Sequence, residues 1–226
     1  MTFTNTLHDP RVAAALSVMF RRADDDDTMT RDYQAQRAPG SAPMTPQEHA
    51  DAAAQVYMPI SARGGQLIYN LVRATRPATV VEFGTSFGIS TLHLAAAVRD
   101  NGTGQVISTE LSAAKAAAAR STFTEVGLDD LITVLEGDAR QTLTTLAGPV
   151  EFVLLDGWKD LCLPILRLLE PRIAPGTLVV ADDVNLRSLQ PYLDYVRESA
   201  NGYHSVTFPV EDGMEISCRL GTEMGR

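Results

Sequence analysis

The fold is decided by one stretch of the chain, Thr79-Val80-Val81-Glu82-Phe83-Gly84-Thr85-Ser86-Phe87-Gly88-Ile89-Ser90. It begins as a short apolar, β-branched run, turns through two glycines, and enters a segment, 91–98, that is rich in alanine and leucine. This order predicts a strand, a tight loop and a helix. Such a loop presents backbone N–H groups and a helix N-terminus to a ligand, and the Glu82 carboxylate can bind hydroxyl groups or a positive centre. We therefore expect the rest of the chain to build a nucleotide-like pocket around this turn.

The bulk composition bounds the class of protein. The chain has 226 residues, a hydrophobic fraction of 45% and a formal net charge of -9. This length suits one large α/β domain, and the acidic balance argues against a dedicated nucleic-acid binder, which would carry a basic stripe. The two cysteines, Cys162 and Cys218, lack metal-binding spacing and are predicted to be buried small hydrophobes. Because no signal-peptide pattern and no apolar run near the ~20 residues of a membrane span is found, we expect a cytoplasmic protein.

Residues 1–60 differ in pattern from the rest and are predicted to form an N-terminal helical extension or a lid over the substrate. A first helix is predicted over 10–20, and the acidic run 24–27 is predicted to be a solvated loop or a helix N-terminus, since it lacks the spacing of a calcium loop. Thr45 and Pro46 are typical of a helix start, which predicts a second helix over 46–56. Residues 61–226 are predicted to form the main domain.

From residue 78 onward, apolar runs alternate with helical stretches, which predicts a parallel sheet with right-handed crossovers. The five apolar runs are 79–83, 105–109, 132–135, 150–155 and 177–181. The helical stretches are 64–75, 90–98, 112–126, 140–146, 160–169 and 186–199. Two last strands, 203–209 and 213–220, are separated by only three residues and are expected to pair as an antiparallel hairpin.

Acidic residues follow every core strand of this predicted sheet. In an open α/β sheet the ligand lies outside the carboxyl ends of the strands, so these acids are expected to meet around one site. Each has a simpler alternative: Glu110 or Asp138 could cap a helix, and Asp182 could be a loop acid. As a set they predict a polar binding site. The acids are Glu82, Glu110, Asp138, Asp156, Asp182 and Asp183.

The glycine spacing of the first loop excludes two common nucleotide motifs. The loop has neither the close glycine pair of a dinucleotide fingerprint nor the lysine of a phosphate loop. An acid at the end of the first strand would also repel a phosphate. A ligand with a cationic or hydroxyl-rich part and no phosphate fits better, and S-adenosylmethionine has this character.

With these residues, the chain resembles the class I S-adenosylmethionine-dependent methyltransferases, and more closely the catechol O-methyltransferase group. The resemblance covers about residues 58–220 and rests on four segments in order. Residues 81–90 are similar to the first cofactor motif, and 155–160 to the motif that carries a metal ligand and a base. Residues 181–184 are similar to the second metal motif, and 212–215 to the late substrate motif.

The resemblance implies a role for each matching residue. Lys159 would be the general base, with a pKa lowered by a nearby cation, and Glu215 would hold a substrate hydroxyl. Trp158 would either line the substrate pocket or pack in the core. Three acids would hold one divalent cation: Asp156, Asp182 and Asp183. The cofactor would contact Met58, Ile60, Glu82, Gly84, Ser86, Gly88, Ser90, Glu110, Asp138, Ala139 and Asp156.

The resemblance also implies a fold and an activity. The expected fold is the Rossmann-like methyltransferase fold, with a seven-stranded, mostly parallel sheet, an antiparallel last strand and helices on both faces. The expected enzyme is a metal-dependent O-methyltransferase that moves the methyl group of S-adenosylmethionine to a hydroxyl of a vicinal dihydroxy aromatic, or catechol-like, small molecule. Magnesium is the expected cation, with Mn²⁺ or Ca²⁺ as alternatives. Asp183 stands where the family usually has asparagine, which is expected to tighten cation binding or to shift the preferred metal.

Two alternatives stay open at this point. The acceptor could instead be a bulkier natural product or a carrier-linked phenol, or the chain could be an S-adenosylmethionine-binding module without catalysis. No nucleic-acid or membrane partner is expected. The partly apolar N-terminal helices leave room for a homodimer.

Overall fold

The computed structural model describes residues 5–25 and 44–221, which build one seven-stranded sheet with helices on both faces. The strands are β1 (Thr79–Phe83), β2 (Gln105–Glu110), β3 (Ile132–Glu136), β4 (Val150–Leu155), β5 (Ile173–Ala181), β6 (Tyr203–Phe208) and β7 (Met214–Arg219). All seven begin or end within a few residues of the positions that the hydrophobic pattern predicts.

The strand order across the sheet is β3-β2-β1-β4-β5-β7-β6. Neighbours from β3 to β5 are parallel, whereas β7 runs antiparallel to both β5 and β6. The short turn after β6 forces this reversal, because two strands joined by so few residues can only pair as a hairpin. The predicted Rossmann-like fold, with its antiparallel last strand, is confirmed.

The helices alternate with the strands in the main domain. They are α1 (Pro10–Asp25), α2 (Pro46–Ala52), α3 (Ala62–Thr75), α4 (Ile89–Asn101), α5 (Ala113–Val126), α6 (Ala139–Thr142), α7 (Cys162–Leu169) and α8 (Gln190–Arg197). No helix in the described ranges has the length and apolar character that crossing a membrane requires. Both cysteines are free thiols; Cys162 is buried as predicted, whereas Cys218 is only partly buried.

Several boundaries differ from the sequence-based expectation: β5 begins four residues early, α6 ends four residues early and α8 begins four residues late, and α1 and α2 differ as well. Helix α1 includes Asp24 and Asp25, so these two acids are helical and do not form a loop or start a helix. Val12, Leu16 and Met19 bury one face of α1. Extending a helix that is already formed costs little free energy, because each further residue adds one backbone hydrogen bond. Helix α2 ends at Ala52, four residues early. The rest of the acidic run lies outside the described residues.

The sheet buries a separate core on each face. Val80 packs into a core shared with α1, α3, α4 and α5, whereas its neighbour Val81 packs into a core shared with α7 and α8. Successive side chains of a strand point to opposite faces, so Glu82 lies on the same side as Val80, toward α4. The first acid of the candidate site is therefore buried between the sheet and α4.

Candidate active site

The loop between β1 and α4 has three residues in the left-handed region of the backbone, two of which are glycines. Gly84, Ser86 and Gly88 all have positive φ, at 105°, 48° and 96°. The N–H groups of Gly84 and Thr85 both donate to the carbonyl of Thr109 at the end of β2. The loop is therefore fixed to the neighbouring strand at the edge where the acids gather, with the N-terminus of α4 directly behind it.

Replacing Gly84 with alanine is expected to unfold the protein more easily and to weaken ligand binding at this loop. A Cβ at this position would lie 2.7 Å from the backbone nitrogen of Gly157, besides requiring φ of 105°. We expect a loss of roughly 3 kcal/mol, measured by urea unfolding. Gly102→Ala is the matched control, because Gly102 has φ of 73° and nothing within 4 Å of its Cβ position. Equal losses in both variants would show that the contact with Gly157 contributes nothing.

Glu82 is a fully buried carboxylate with one oxygen satisfied and one free. Its Oε2 accepts hydrogen bonds from the hydroxyls of Thr91 and Ser108. Its Oε1 is buried and, among the described residues, has no hydrogen-bond partner. Burial raises the pKa of Glu82 to about 7, against hydrogen bonds from Ser108, Ser90 and Thr91 that lower it. A buried oxygen without a donor is costly, so this atom is arranged to receive a donor from a ligand.

Glu110 connects the end of β2 to the glycine loop. Its two oxygens accept the backbone N–H groups of Ser86, at 2.7 Å, and of Ser112, at 2.8 Å. The buried Lys115 places its Nζ 3.3 Å from Ser86 Oγ and 5.3 Å from the centre of the Phe87 ring. Burial raises the pKa of the Glu110 carboxyl, and Lys115 and the backbone donors oppose that effect.

Asp138 takes the simpler of its two predicted roles in this structure. Its side chain caps α6 by accepting the backbone N–H of Arg140, and it forms an ion pair with the Arg140 guanidinium at 2.6 Å. The hydrogen bonds from Arg140 lower the pKa of Asp138. Ala139, the next residue, is buried at the first position of α6. A contact of these residues with adenine stays a prediction.

A lysine and three aspartates lie together at the carboxyl ends of β4 and β5. Lys159 Nζ donates to Asp156 Oδ1 at 2.7 Å and lies 3.0 Å from Asp183 Oδ2. Asp183 has φ of 59°, a left-handed conformation that aspartate and asparagine adopt more readily than most residues. Asp182 completes this group, which we call the acid cluster: Asp156, Asp182 and Asp183. Burial, together with Asp156 and Asp183, raises the pKa of Asp182 to about 8.

The lowered pKa expected for Lys159 beside a bound cation stays a prediction; among the protein's own groups, the pKa of Lys159 is raised. Burial does lower it, but Asp156 and Asp183 raise it and their combined effect is larger, so the net shift is upward. Two carboxylates at hydrogen-bond distance stabilise the ammonium form more than desolvation destabilises it. Lys159 is therefore charged in the structure as it stands.

The side chains of the acid cluster do not have the geometry of a metal centre in this structure. Within residues 5–25 and 44–221, no three acidic, histidine or cysteine side chains are grouped as a metal would require. The Lys159 ammonium lies instead between two of the predicted ligands. The cluster nevertheless places three acidic side chains near this ammonium, and burial together with the neighbouring carboxylates raises the pKa of both Asp156 and Asp182.

The segment from 45 to 60 contacts both loops of the site. At its start, the ring of His49 lies 5.5 Å from that of Trp158, which precedes Lys159. Near its end, Tyr57 stacks on Phe87 of the glycine loop, with ring centres 4.1 Å apart and planes 14° apart. Trp158 is partly buried against Ala53 and Val56, so it packs with this segment and not in the core of the sheet. The role of this segment as a lid stays a prediction.

Two predicted ligand residues, Glu215 and Ile60, are engaged within the protein itself. Glu215 is buried, and its two oxygens accept hydrogen bonds from Arg197, both at 2.8 Å, and from Thr207. The Arg197 bonds oppose the effect of burial and leave the pKa of Glu215 lowered. Ile60 is buried in the core, so only Met58 of the predicted pair has substantial exposed surface. The contact of Glu215 with a substrate hydroxyl stays a prediction.

Some residues at the site are not indicated by the sequence pattern. His49 belongs to no ligand spacing, and Lys115 lies within an alanine-rich helix, where a lysine is normally exposed. The signal that could have found Lys115 is its place one turn into the helix after Glu110. Phe87 lies inside the glycine loop itself, where a large aromatic side chain is unusual.

Comparison with known proteins gives consistent results. A family model described as a methyltransferase domain matches residues 81–184. Catechol O-methyltransferase B of Danio rerio is 30% identical over 171 residues, which cover 70% of this chain and 64% of that protein. A catechol O-methyltransferase of Mycobacterium tuberculosis is 31% identical over 136 residues, covering 60% of this chain and 61% of that protein. The chain thus spans less than two thirds of the length of either relative.

A solved structure has the same fold. The O-methyltransferase from Bacillus cereus, in complex with SAH (S-adenosylhomocysteine), matches with a TM-score of 0.66 over 84% of this chain and 97% of that one. The two sequences are 19% identical, so this likeness shows a shared fold alone.

Proposed function

We infer that this chain is a class I S-adenosylmethionine-dependent methyltransferase and, within that class, an O-methyltransferase for a catechol-like small molecule; its fold and its match to the family model support this. The observation that carries this proposal is the adjacency of two features. The buried, half-satisfied Glu82 on β1 lies beside the strand that ends in the Asp156–Lys159 ion pair. A proposed cofactor site and a proposed proton-handling site would thus share one sheet edge, which is the arrangement that methyl transfer to a hydroxyl requires.

The residues around the glycine loop fit S-adenosylmethionine. The ammonium of its methionine part can supply the donor that Glu82 Oε1 lacks. Ser90, which is buried near Glu82 on the first turn of α4, would assist at the same end, and the loop Gly84–Gly88 would enclose it with Ser86. Glu110 keeps lone pairs on both oxygens after its two backbone bonds, so it can accept the ribose hydroxyls.

A divalent cation fits the acid cluster chemically. Carboxylate oxygens are the ligands that Mg²⁺, Mn²⁺ and Ca²⁺ prefer, and the mutual repulsion that raises the pKa of Asp182 is relieved by positive charge. Asp156, Asp182 and Asp183 would hold the ion. When bound, such an ion lowers the pKa of an acceptor hydroxyl and fixes its orientation.

Within the chain itself, Lys159 is placed to exchange a proton with the acceptor. It is held on one side by Asp156 and on the other by Asp183. As long as both are charged the proton stays on Lys159, and the ammonium can donate a hydrogen bond to a developing phenolate. Lys159 can accept a proton once another charge offsets these two carboxylates. Methyl transfer itself is a direct displacement, so alignment of the two substrates supplies much of the acceleration.

A screen of methyl acceptors with labelled S-adenosylmethionine, with the metal varied, tests this function. We expect label in vicinal dihydroxy aromatics and its loss in EDTA. Titration with S-adenosylhomocysteine and with NAD, each with and without EDTA, accompanies the screen. Binding of NAD alone would overturn the proposal. Tight S-adenosylhomocysteine binding without transfer to any catechol would favour a non-catalytic binding module, and transfer only to large phenols would favour a bulkier acceptor.

Replacing Asp183 with asparagine is expected to weaken cation binding by about tenfold, because one of three carboxylates at the acid cluster loses its charge. Isothermal calorimetry with Mg²⁺ and Mn²⁺ measures this without turnover. Asp160→Asn is the matched control, since Asp160 directly follows Lys159 in the chain but is exposed to solvent. Equal affinities for wild type and Asp183→Asn would contradict the assigned metal role.

A further inference from the structure

His49 lies on a helix whose position is encoded by its own first turn. Thr45 caps α2 by accepting the Glu48 N–H at 3.2 Å, and the Glu48 side chain accepts the Thr45 N–H at 2.7 Å. Pro46 occupies the first helical position. This reciprocal cap fixes a short helix that its length alone would not stabilise. The position of His49 on this helix is therefore fixed by hydrogen bonds within residues 45–48.

The same helix and the residues that follow it pack onto the loop that carries the ion pair. Ala50, Ala53 and Val56 are buried, and the last two share a small apolar cluster with Trp158. The His49 and Trp158 rings are tilted by 44° at 5.5 Å. His49 therefore contacts the residue that directly precedes Lys159 in the chain.

One ring nitrogen of His49 lacks a hydrogen bond within the described residues. Nδ1 is buried and, within the described part of the chain, has no hydrogen-bond partner. Leaving such an atom unpaired costs about 1–3 kcal/mol, so the arrangement is expected to be completed by a ligand. Glu82 Oε1 is unpaired in the same way. His49 Nδ1 lies beside Trp158, and Glu82 Oε1 lies on β1 next to the glycine loop, so both are near loops that the segment 45–60 contacts. Two further buried atoms without a partner in the described residues, Thr142 Oγ1 and Tyr192 Oη, belong to α6 and α8.

We propose that His49 determines acceptor specificity by forming a hydrogen bond through Nδ1 to a hydroxyl substituent of the acceptor, whose ring lies against Trp158. This rests on the proposed function and deepens it. The acceptor class becomes a catechol that carries a further hydroxyl-bearing substituent away from the reacting pair. A hydroxyl suits either tautomer of the imidazole, because it both donates and accepts.

Two acceptors of matched size test the proposal: 3,4-dihydroxybenzyl alcohol, which carries the extra hydroxyl, and 4-ethylcatechol, which does not. In His49→Phe we expect KM for the alcohol to rise about 5- to 10-fold, with kcat within about twofold. For the ethyl compound, KM should stay within about twofold. His49→Asn, whose amide reaches the position of Nδ1, should restore most of the preference. His204→Asn, on the exposed edge strand β6, is the control and should change neither KM.

A second readout does not depend on turnover. Trp158 is the only tryptophan of the chain, so intrinsic fluorescence reports acceptor binding beside His49 directly. With S-adenosylhomocysteine bound, the Kd of the alcohol should rise in His49→Phe by the same factor as its KM. Equal KM changes for both acceptors, or none for either, would overturn the role of His49 while leaving the proposed function intact. A wild type that neither methylates nor binds either acceptor would overturn the proposed function, and this inference with it.

Discussion

Replacing Lys159 with alanine is expected to lower the turnover number by about 10²- to 10⁴-fold while leaving S-adenosylhomocysteine affinity within about threefold. Lys159 Nζ bonds to Asp156 at 2.7 Å and lies 3.0 Å from Asp183, both outside the glycine loop. The loss should therefore fall on the chemical step. Single-turnover measurements at saturating cofactor separate this effect from binding.

The Lys159→Ala variant needs a control for stability, because it leaves Asp156 buried without its ion pair. Such a loss costs about 3–5 kcal/mol, so thermal unfolding must first show that the variant is folded at the assay temperature. Lys115→Ala is the matched control, since Lys115 is also a buried lysine but contacts Ser86 on the cofactor side. It should weaken cofactor binding and keep turnover at saturation. Full turnover of Lys159→Ala would show that the proton goes elsewhere.

Replacing Glu82 with glutamine is expected to raise the Kd of S-adenosylhomocysteine by about 10- to 100-fold, because a charge-assisted hydrogen bond to the ligand ammonium is lost. The amide can still accept hydrogen bonds from Thr91 and Ser108, so the fold should survive. Glu136→Gln is the control, since Glu136 is an exposed acid at the end of β3. A Kd that does not change in Glu82→Gln would exclude Glu82 from the cofactor site.

The same residue predicts a pH dependence of stability in the ligand-free protein. The pKa of Glu82 is about 7 in the fold, above the ordinary 4.5, so the folded state keeps a proton that the unfolded state has released. Stability should therefore fall as pH rises from 4.5 to about 7, by roughly 3 kcal/mol for this one group. Glu82→Gln should lack this part of the slope. Ligand binding should tighten over the same range, because the ammonium needs the ionised carboxylate.

The architecture was predictable from sequence because its signals are local. The apolar runs and their spacing identify the strands, and the short turn after β6 fixes the reversal of β7. That Glu82, Asp156 and Asp182 lie at one edge follows from the same pattern, since parallel strands place their carboxyl ends together. The cap of α2 at Thr45 could also be predicted, because all its partners lie within three residues.

What each side chain does at that edge could not be predicted in the same way. The pKa of Lys159 depends on Asp183, which follows a different strand, and two carboxylates outweigh the burial of the ammonium. Glu215 is engaged by Arg197 of α8, a partner that no spacing in the sequence indicates. The contact of His49 with Trp158 joins positions more than one hundred residues apart.

The sequence by itself therefore determined the order of strands and helices, the glycine loop at the end of β1, and the gathering of acids at one edge of the sheet. Hydrophobic periodicity and strand direction suffice for these, because both act over a few residues. Only the tertiary structure decided which acids are paired, which oxygen of Glu82 is left free, and which segment covers the site. Hydrogen bonding and burial depend on neighbours that the fold brings together from distant parts of the chain.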